Sequence, residues 1–144
     1  MKILLAIDGS EGALSGVRHI LWIAHQGLRA SFVLANVQEP ASLYEVFVAH
    51  DVAVIEQVSE AAAVHSLAAA QALLNAASLP FETEIGHGDP GRVLIEIAER
   101  CGCDVIVIGA RGMDSSGGGA LGPVASSVLQ HANMPVWVVK GAEV

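Results

Sequence analysis

Four short apolar runs, KILLAID (2–8), SFVLANV (31–37), DVIVIG (104–109) and MPVWVVK (134–140), are separated by longer stretches with helical spacing. Runs of this length, rich in β-branched residues and lacking polar alternation, describe strands covered on both faces. Strands that alternate with helical crossovers run parallel, and their connections are right-handed. A fifth segment, FETEIGHG (81–88), does alternate. Phe81, Thr83 and Ile85 point one way and Glu82 and Glu84 the other, the pattern of a strand near a sheet edge whose outward charges discourage unwanted pairing. The expectation is an α/β fold: a three-layer sandwich around a five-stranded parallel sheet, ordered 3-2-1-4-5, in one domain spanning residues 1–144.

Composition narrows the function classes. Hydrophobic residues make up 53% of the chain and charged residues 15%, which suits a doubly covered sheet. No run of 18 uninterrupted apolar residues exists, and the opening MKILLAIDGS turns polar at Asp8, too early for a signal peptide. The expected setting is therefore cytoplasmic, without membrane insertion. A formal charge of −8, with seven basic residues and no two adjacent, argues against nucleic acid and anionic lipid as partners. The two cysteines, Cys101 and Cys103 in CGC, are too few for a disulfide framework and read as a reduced structural pair.

The helical patterns have readable ends. Ser10 suits the N-cap of a helix carrying Leu14, Val17, Leu21 and Ala24 on one stripe, with Gly27 as its stop. An apolar, irregular connection, ASLYEVFVAH (41–50), leads into a long alanine-rich helix from about Val52 to Ala77, with Val54, Val58, Ala61, Ala62, Ala69, Leu73 and Ala76 as its apolar stripe. Asp89 and Pro90 mark the N-cap and first position of a third helix. The last is expected over Val124–Ala132.

With strand order 3-2-1-4-5, the sheet opens a crevice between strands 1 and 4 at their carboxyl ends. Asp8 ends the first strand and Gly109 the fourth. From Gly109 runs GARGMDSSGGGALGPVASSVL, in which Gly109, Gly112 and Gly122 have the spacing G-x-x-G-x9-G. Backbone N–H groups approach phosphate oxygens most easily where no Cβ intervenes, and the following helix offers a positive N-terminus. A second reading stands beside this one: Asp8 caps a turn, and the glycines serve turn geometry alone.

ILLAIDGSEGA, NVQEP, GDPGRVLIEIA and VIGARG…LGPVASSVLQHANMPVWVV, taken in this order, resemble the universal stress protein family from Lys2 to Lys140. The resemblance implies a Rossmann-like domain, usually dimeric, in a family divided between members that bind ATP and members that have lost the site. Carried onto this chain, Ala6 and Ile7 would line the base pocket and Asp8 would meet the ribose or adenine edge. Val37 would meet adenine through its backbone. Gly109, Gly112 and Gly122 would border the ribose and phosphates, with Arg111 as a nearby cation and Val124 supplying an N–H. ATP, with Mg²⁺, is the implied ligand.

Three departures weaken that implication. Pro123 stands where ATP-binding members have Ser or Thr, and Ala125 where a second small hydroxyl residue is common. Asp114 occupies a gap that often holds a base. The alternative is an ATP-independent dimeric interaction protein with a degenerate phosphate loop. No residue stands out as a general base, so slow ATP hydrolysis is the most the chain is expected to perform.

Other chemistries find little support. His19, His25, His50, His65, His87 and His131 show no metal-ligand spacing; only His87 lies near the carboxyl end of a strand. No G-x-S-x-G elbow is present, and the paired acids of a receiver domain are missing beside the first strand. The final strand, with Val136, Trp137 and Val138, is apolar on both faces at a sheet edge, and the resemblance implies homodimer pairing through it. The competing reading makes Trp137 a core residue.

Overall fold

A computed structural model describes residues 1–39, 52–111 and 121–141. The elements are β1 (Lys2–Ala6), α1 (Glu11–His25), β2 (Ser31–Gln38), α2 (Val52–Ala76), β3 (Phe81–His87), α3 (Pro90–Arg100), β4 (Val105–Gly109), α4 (Pro123–His131) and β5 (Val136–Val139). The strands form one parallel sheet in the order β3-β2-β1-β4-β5. The expected α/β architecture and strand order are those observed.

Strand periodicity divides the core in two. Ile3, Leu5, Phe32, Leu34, Val105 and Val107 face one way and pack on Val17 and Ile20 of α1 and on Leu67 and Leu74 of α2. Leu4, Val33, Ala35, Ile106 and Ile108 face the other way, onto Val93 and Ile97 of α3 and Ala125 and Val128 of α4. Each strand residue from Ile3 to Leu5 is thus buried from one side or the other, which is why the run shows no polar alternation. After β1 the chain turns toward β2, and after β4 toward β5. The two connections diverge at neighbouring strands and leave the crevice between them.

The helix starts follow their capping residues. Ser10 Oγ accepts from Ala13 N at 3.1 Å, and Asp89 accepts from Arg92 N at 3.1 Å with Pro90 at the first turn. Gly27, at φ +117°, lies just past the end of α1.

Two expectations need correcting. The buried stripe of α2 is Ala63, Leu67, Ala70 and Leu74, while Val58 is 64% exposed and Val64 56% exposed. A helix with alanine on every side has no single apolar arc, so spacing alone selects no face. Of the expected stripe, Leu73 is half-buried, Ala61, Ala62, Ala69 and Ala76 are exposed, and the side chain of Val54 lies outside the described residues. In β3 the glutamates do not simply point into water. Glu82 Oε1 meets Lys2 Nζ at 2.8 Å, and half-buried Glu84 holds Arg100 at 3.2 Å and accepts from Cys101 Sγ at 3.7 Å. Phe81 packs on the α1–α2 side, but Ile85 is 37% exposed, because β3 is an edge with incomplete cover. The connection 41–50 lies outside the described residues.

Candidate functional site

β1 and β2 pair as far as Ala6 opposite Ala35, and Ile7 N adds one more bond to Ala35 O at 2.9 Å. Beyond that point β2 continues alone on this side through Asn36, Val37 and Gln38. Backbone groups in a parallel strand alternate in direction, so Val37 turns its peptide groups the same way as Ala35, toward the space that β1 has left. Val37 is half-buried and packs on the α3–α4 core, as does Ala6. The side chain of Ile7 is 3% exposed and lies in the α1–α2 core, so Ile7 offers the crevice only its backbone.

Asp8 is exposed at the end of this strand. Its Oδ1 accepts from Ser10 N at 2.9 Å, a local turn that fixes the carboxylate at the mouth of the crevice. Gly9 follows at φ +87°, with Ser66 of α2 close behind it.

The other wall is the tip of β4. A Cβ at Gly109 would lie 2.5 Å from Gly12 O, and a Cβ at Gly12 would collide with the carbonyl oxygen of Arg111. The first turn of α1 therefore sits directly on the β4 tip, and both glycines are required for backbone packing. Gly122 N donates to Ala110 O at 2.7 Å, which returns the chain and plants the start of α4 at the same tip. Gly112 lies outside the described residues, Arg111 is exposed, and Gly122 is buried.

The start of α4 is poor in donors. Its N-cap, Gly122, provides no side-chain hydrogen bond, and Pro123 at the first position has no N–H. Ser126 N is already committed to Gly122 O at 3.0 Å. The backbone N–H groups of Val124 and Ala125 complete the first turn. Ala125 is 2% exposed and packs in the α3–α4 core, so a hydroxyl at that position would be buried too.

Behind the mouth lies a polar chain that sequence reading passed over. Asn36, 1% exposed, donates through Nδ2 to Ile7 O at 2.8 Å, and Gln38 Nε2 donates to Asn36 Oδ1 at 2.6 Å. A single amide inside the apolar run FVLANV was the available signal. Gly12 in DGSEGA was missed as well, because its partner across the crevice is distant in sequence. His87 closes β3 opposite Gln38 and is exposed. Among the described residues, no group of three His, Cys, Asp or Glu side chains is placed to hold a metal ion.

Cys101 and Cys103 lie outside the crevice, next to the start of β4. Burial pushes the Cys103 thiol up to about 11, with the neighbouring Cys101 adding to it. Burial also raises Cys101, helped by the Glu84 carboxylate.

A doubly wound parallel sheet with a crevice at its reversal point defines a Rossmann-like α/β domain. The profile of the universal stress protein family matches residues 1–140, and the chain belongs to that family. It is 26% identical over 139 residues to universal stress protein MJ0531 of Methanocaldococcus jannaschii, covering 96% of this chain and 81% of that one. Universal stress protein UspA from Lactobacillus plantarum is 24% identical, with a TM-score of 0.80 and coverage of 96% of this chain and 97% of that one. A family protein from Arabidopsis thaliana, solved with AMP bound, is 21% identical, with a TM-score of 0.74 and coverage of 99% and 92%. These two solved structures share the fold with this chain. Among the described residues, no helix is long and apolar enough to cross a membrane.

Proposed function

We propose that this chain is a stress-response regulatory module that binds an adenine nucleotide weakly at the carboxyl ends of β1, β2 and β4, and acts through occupancy rather than turnover. The observation that carries this reading is the bond from Gly122 N to Ala110 O, 2.7 Å, which sets the start of α4 at the tip of β4, the strand next to β1. Ala6, the backbone of Ile7, and Val37 would receive the base, and Asp8 would accept from the sugar. Gly109, Gly112 and Gly122 would border the phosphates, with Arg111 as the cation and Val124 giving its N–H. The AMP bound in the Arabidopsis relative supports a nucleotide of this kind.

The residues present fit a base and sugar better than a triphosphate. Each hydrogen bond to a charged oxygen that Pro123 fails to supply removes roughly 1.5–3 kcal/mol, about one to two decades of affinity. ATP, arriving with Mg²⁺, therefore gains little over AMP. Slow hydrolysis is the most that is expected of this chain, since no residue of the sequence stands out as a general base.

The second reading is an ATP-independent dimeric interaction protein, and the Pro123 start of α4 favours it. Calorimetric titration with Mg²⁺-ATP and with AMP separates the two. The nucleotide reading expects weak binding of both, and a Pro123→Ser variant that binds ATP about tenfold more tightly or better while AMP changes less. Absence of binding heat in both proteins overturns it in favour of the interaction protein.

A further inference from the structure

The direction of every peptide group along β2 is fixed by bonds near its two ends. On the β1 side, Ser31 N reaches Met1 O at 3.0 Å and Ala35 O receives Ile7 N at 2.9 Å. On the β3 side, Phe32 N reaches Pro80 O at 3.2 Å and Gln38 O receives Gly88 N at 3.0 Å. Val37, two residues beyond Ala35, therefore turns both its N–H and its C=O toward the β1 side. In an uninterrupted parallel ladder the next bond would run from Val37 N to Ile7 O. That bond is not made. Ile7 O accepts instead from Asn36 Nδ2 at 2.8 Å, and among the described residues no bond joins Val37 N or O to the chain that follows β1.

Asn36 is 1% exposed and shares by alternation the α1–α2 side of β2 with Phe32 and Leu34. A carbonyl only accepts, so the amide must present Nδ2 to Ile7, and its Oδ1 is held by Gln38 Nε2 at 2.6 Å. Both halves of the amide are engaged, which gives this side chain one orientation. We infer that Asn36 is a positioning residue: by taking the Ile7 carbonyl it holds the end of β1 off β2 and keeps the Val37 N–H and C=O open to the edge of a bound base. This rests on the adenine-nucleotide reading above, in which Val37 meets the base. Asn36 acts through Ile7 alone, since its side chain lies on the opposite side of the sheet from those of Ala6 and Val37. Without the amide, the Ile7 carbonyl would lose its donor, and the Val37 N–H is the group that the ladder would supply in its place.

The test pairs backbone amide hydrogen exchange with calorimetric titration of AMP, on the natural chain and on Asn36→Val. Valine suits a buried strand position and offers no donor. In the free natural chain the Val37 amide is expected to exchange about tenfold faster than that of Ala35 inside the ladder, and to slow on saturation with AMP. In Asn36→Val the Ile7 carbonyl takes the Val37 N–H. Val37 exchange in the free variant then slows by about tenfold, and AMP binds about five- to tenfold more weakly, the worth of one neutral hydrogen bond. An amide with a purely structural role would change stability and neither of these. A free natural chain in which Val37 is as protected as Ala35, or in which AMP leaves Val37 exchange unchanged, overturns the inference and leaves the adenine-site reading standing, whether or not the variant folds. A folded variant with Val37 exchange or AMP affinity unchanged does the same. Failure of the natural chain to bind AMP overturns both.

Discussion

A methyl group at position 109 would lie 2.5 Å from Gly12 O and 2.7 Å from Gly12 C, both backbone atoms that cannot swing aside. Gly109→Ala is therefore expected to lower stability by about 1–3 kcal/mol, the usual range for overpacking. Urea unfolding should show a lower midpoint with the slope preserved. The sequence shows this glycine plainly but gives only part of the reason for it, since the phosphate-loop spacing says nothing of the helix pressed against the strand tip. Asp8 is legible too, and its bond from Ser10 N is the local turn that the capping reading expects. At the thiols the pH dependence has a definite sign. Cys103 is raised from an ordinary 9.0 to about 11, so its protonated form is favoured in the folded chain. Its contribution is fully present below pH 9.0 and is lost as pH rises toward 11. Alkylation of the native protein at pH 8 should leave Cys103 unmodified, while the unfolded chain reacts at once.

Among the elements, strands were easier to read than helix faces. A strand buried on both sides announces itself by composition, and β1, β2 and β4 contain the runs that named them. In α2 the reading failed because alanine is compatible with both core and solvent, and only the positions of Leu67 and Leu74 against Phe32 and Leu34 decide the face. That decision can be measured. Leu67→Ala and Leu74→Ala are expected to cost about 2–5 kcal/mol each. Val58→Ala and Val64→Ala, on the exposed side, should stay within about 0.5 kcal/mol of the natural chain. Thermal or denaturant unfolding of the four variants would show the division, and equal losses at all four would contradict the assigned face. β3 taught the opposite lesson. Its alternation was visible in sequence, but the glutamate side turned out to be bonded to Lys2 and Arg100, partners that no local pattern reveals.

At the scale of the whole molecule, alternation of strand and helix narrows the sheet to a few doubly wound orders, because right-handed crossovers leave few ways to arrange parallel strands, and the expected 3-2-1-4-5 is the one observed. The crevice followed from that order. What could not follow was the polar chain through Asn36 and Gln38 or the contact of Gly12 with the β4 tip, since both join segments far apart in sequence. The sheet edges remain the other large-scale feature. β5 ends the sheet with Val136 to Val139 all half-buried, and Trp137 packs against the α1–α2 core while remaining partly open. A second copy pairing with β5 across a two-fold axis would cover this edge. Sedimentation analysis is expected to show a dimer that Val138→Glu converts to a folded monomer. A natural chain that is monomeric at all accessible concentrations would contradict this pairing.

The central proposal is a location: an adenine nucleotide would sit where β1, β2 and β4 end. Backbone amide chemical shifts recorded by nuclear magnetic resonance during titration with AMP test it most directly. The account predicts shifts concentrated at Ile7, Asp8, Val37, Arg111 and Val124. Shifts confined to the opposite end of the sheet, around Lys2 and Asp104, or none at all at saturating nucleotide, would contradict it.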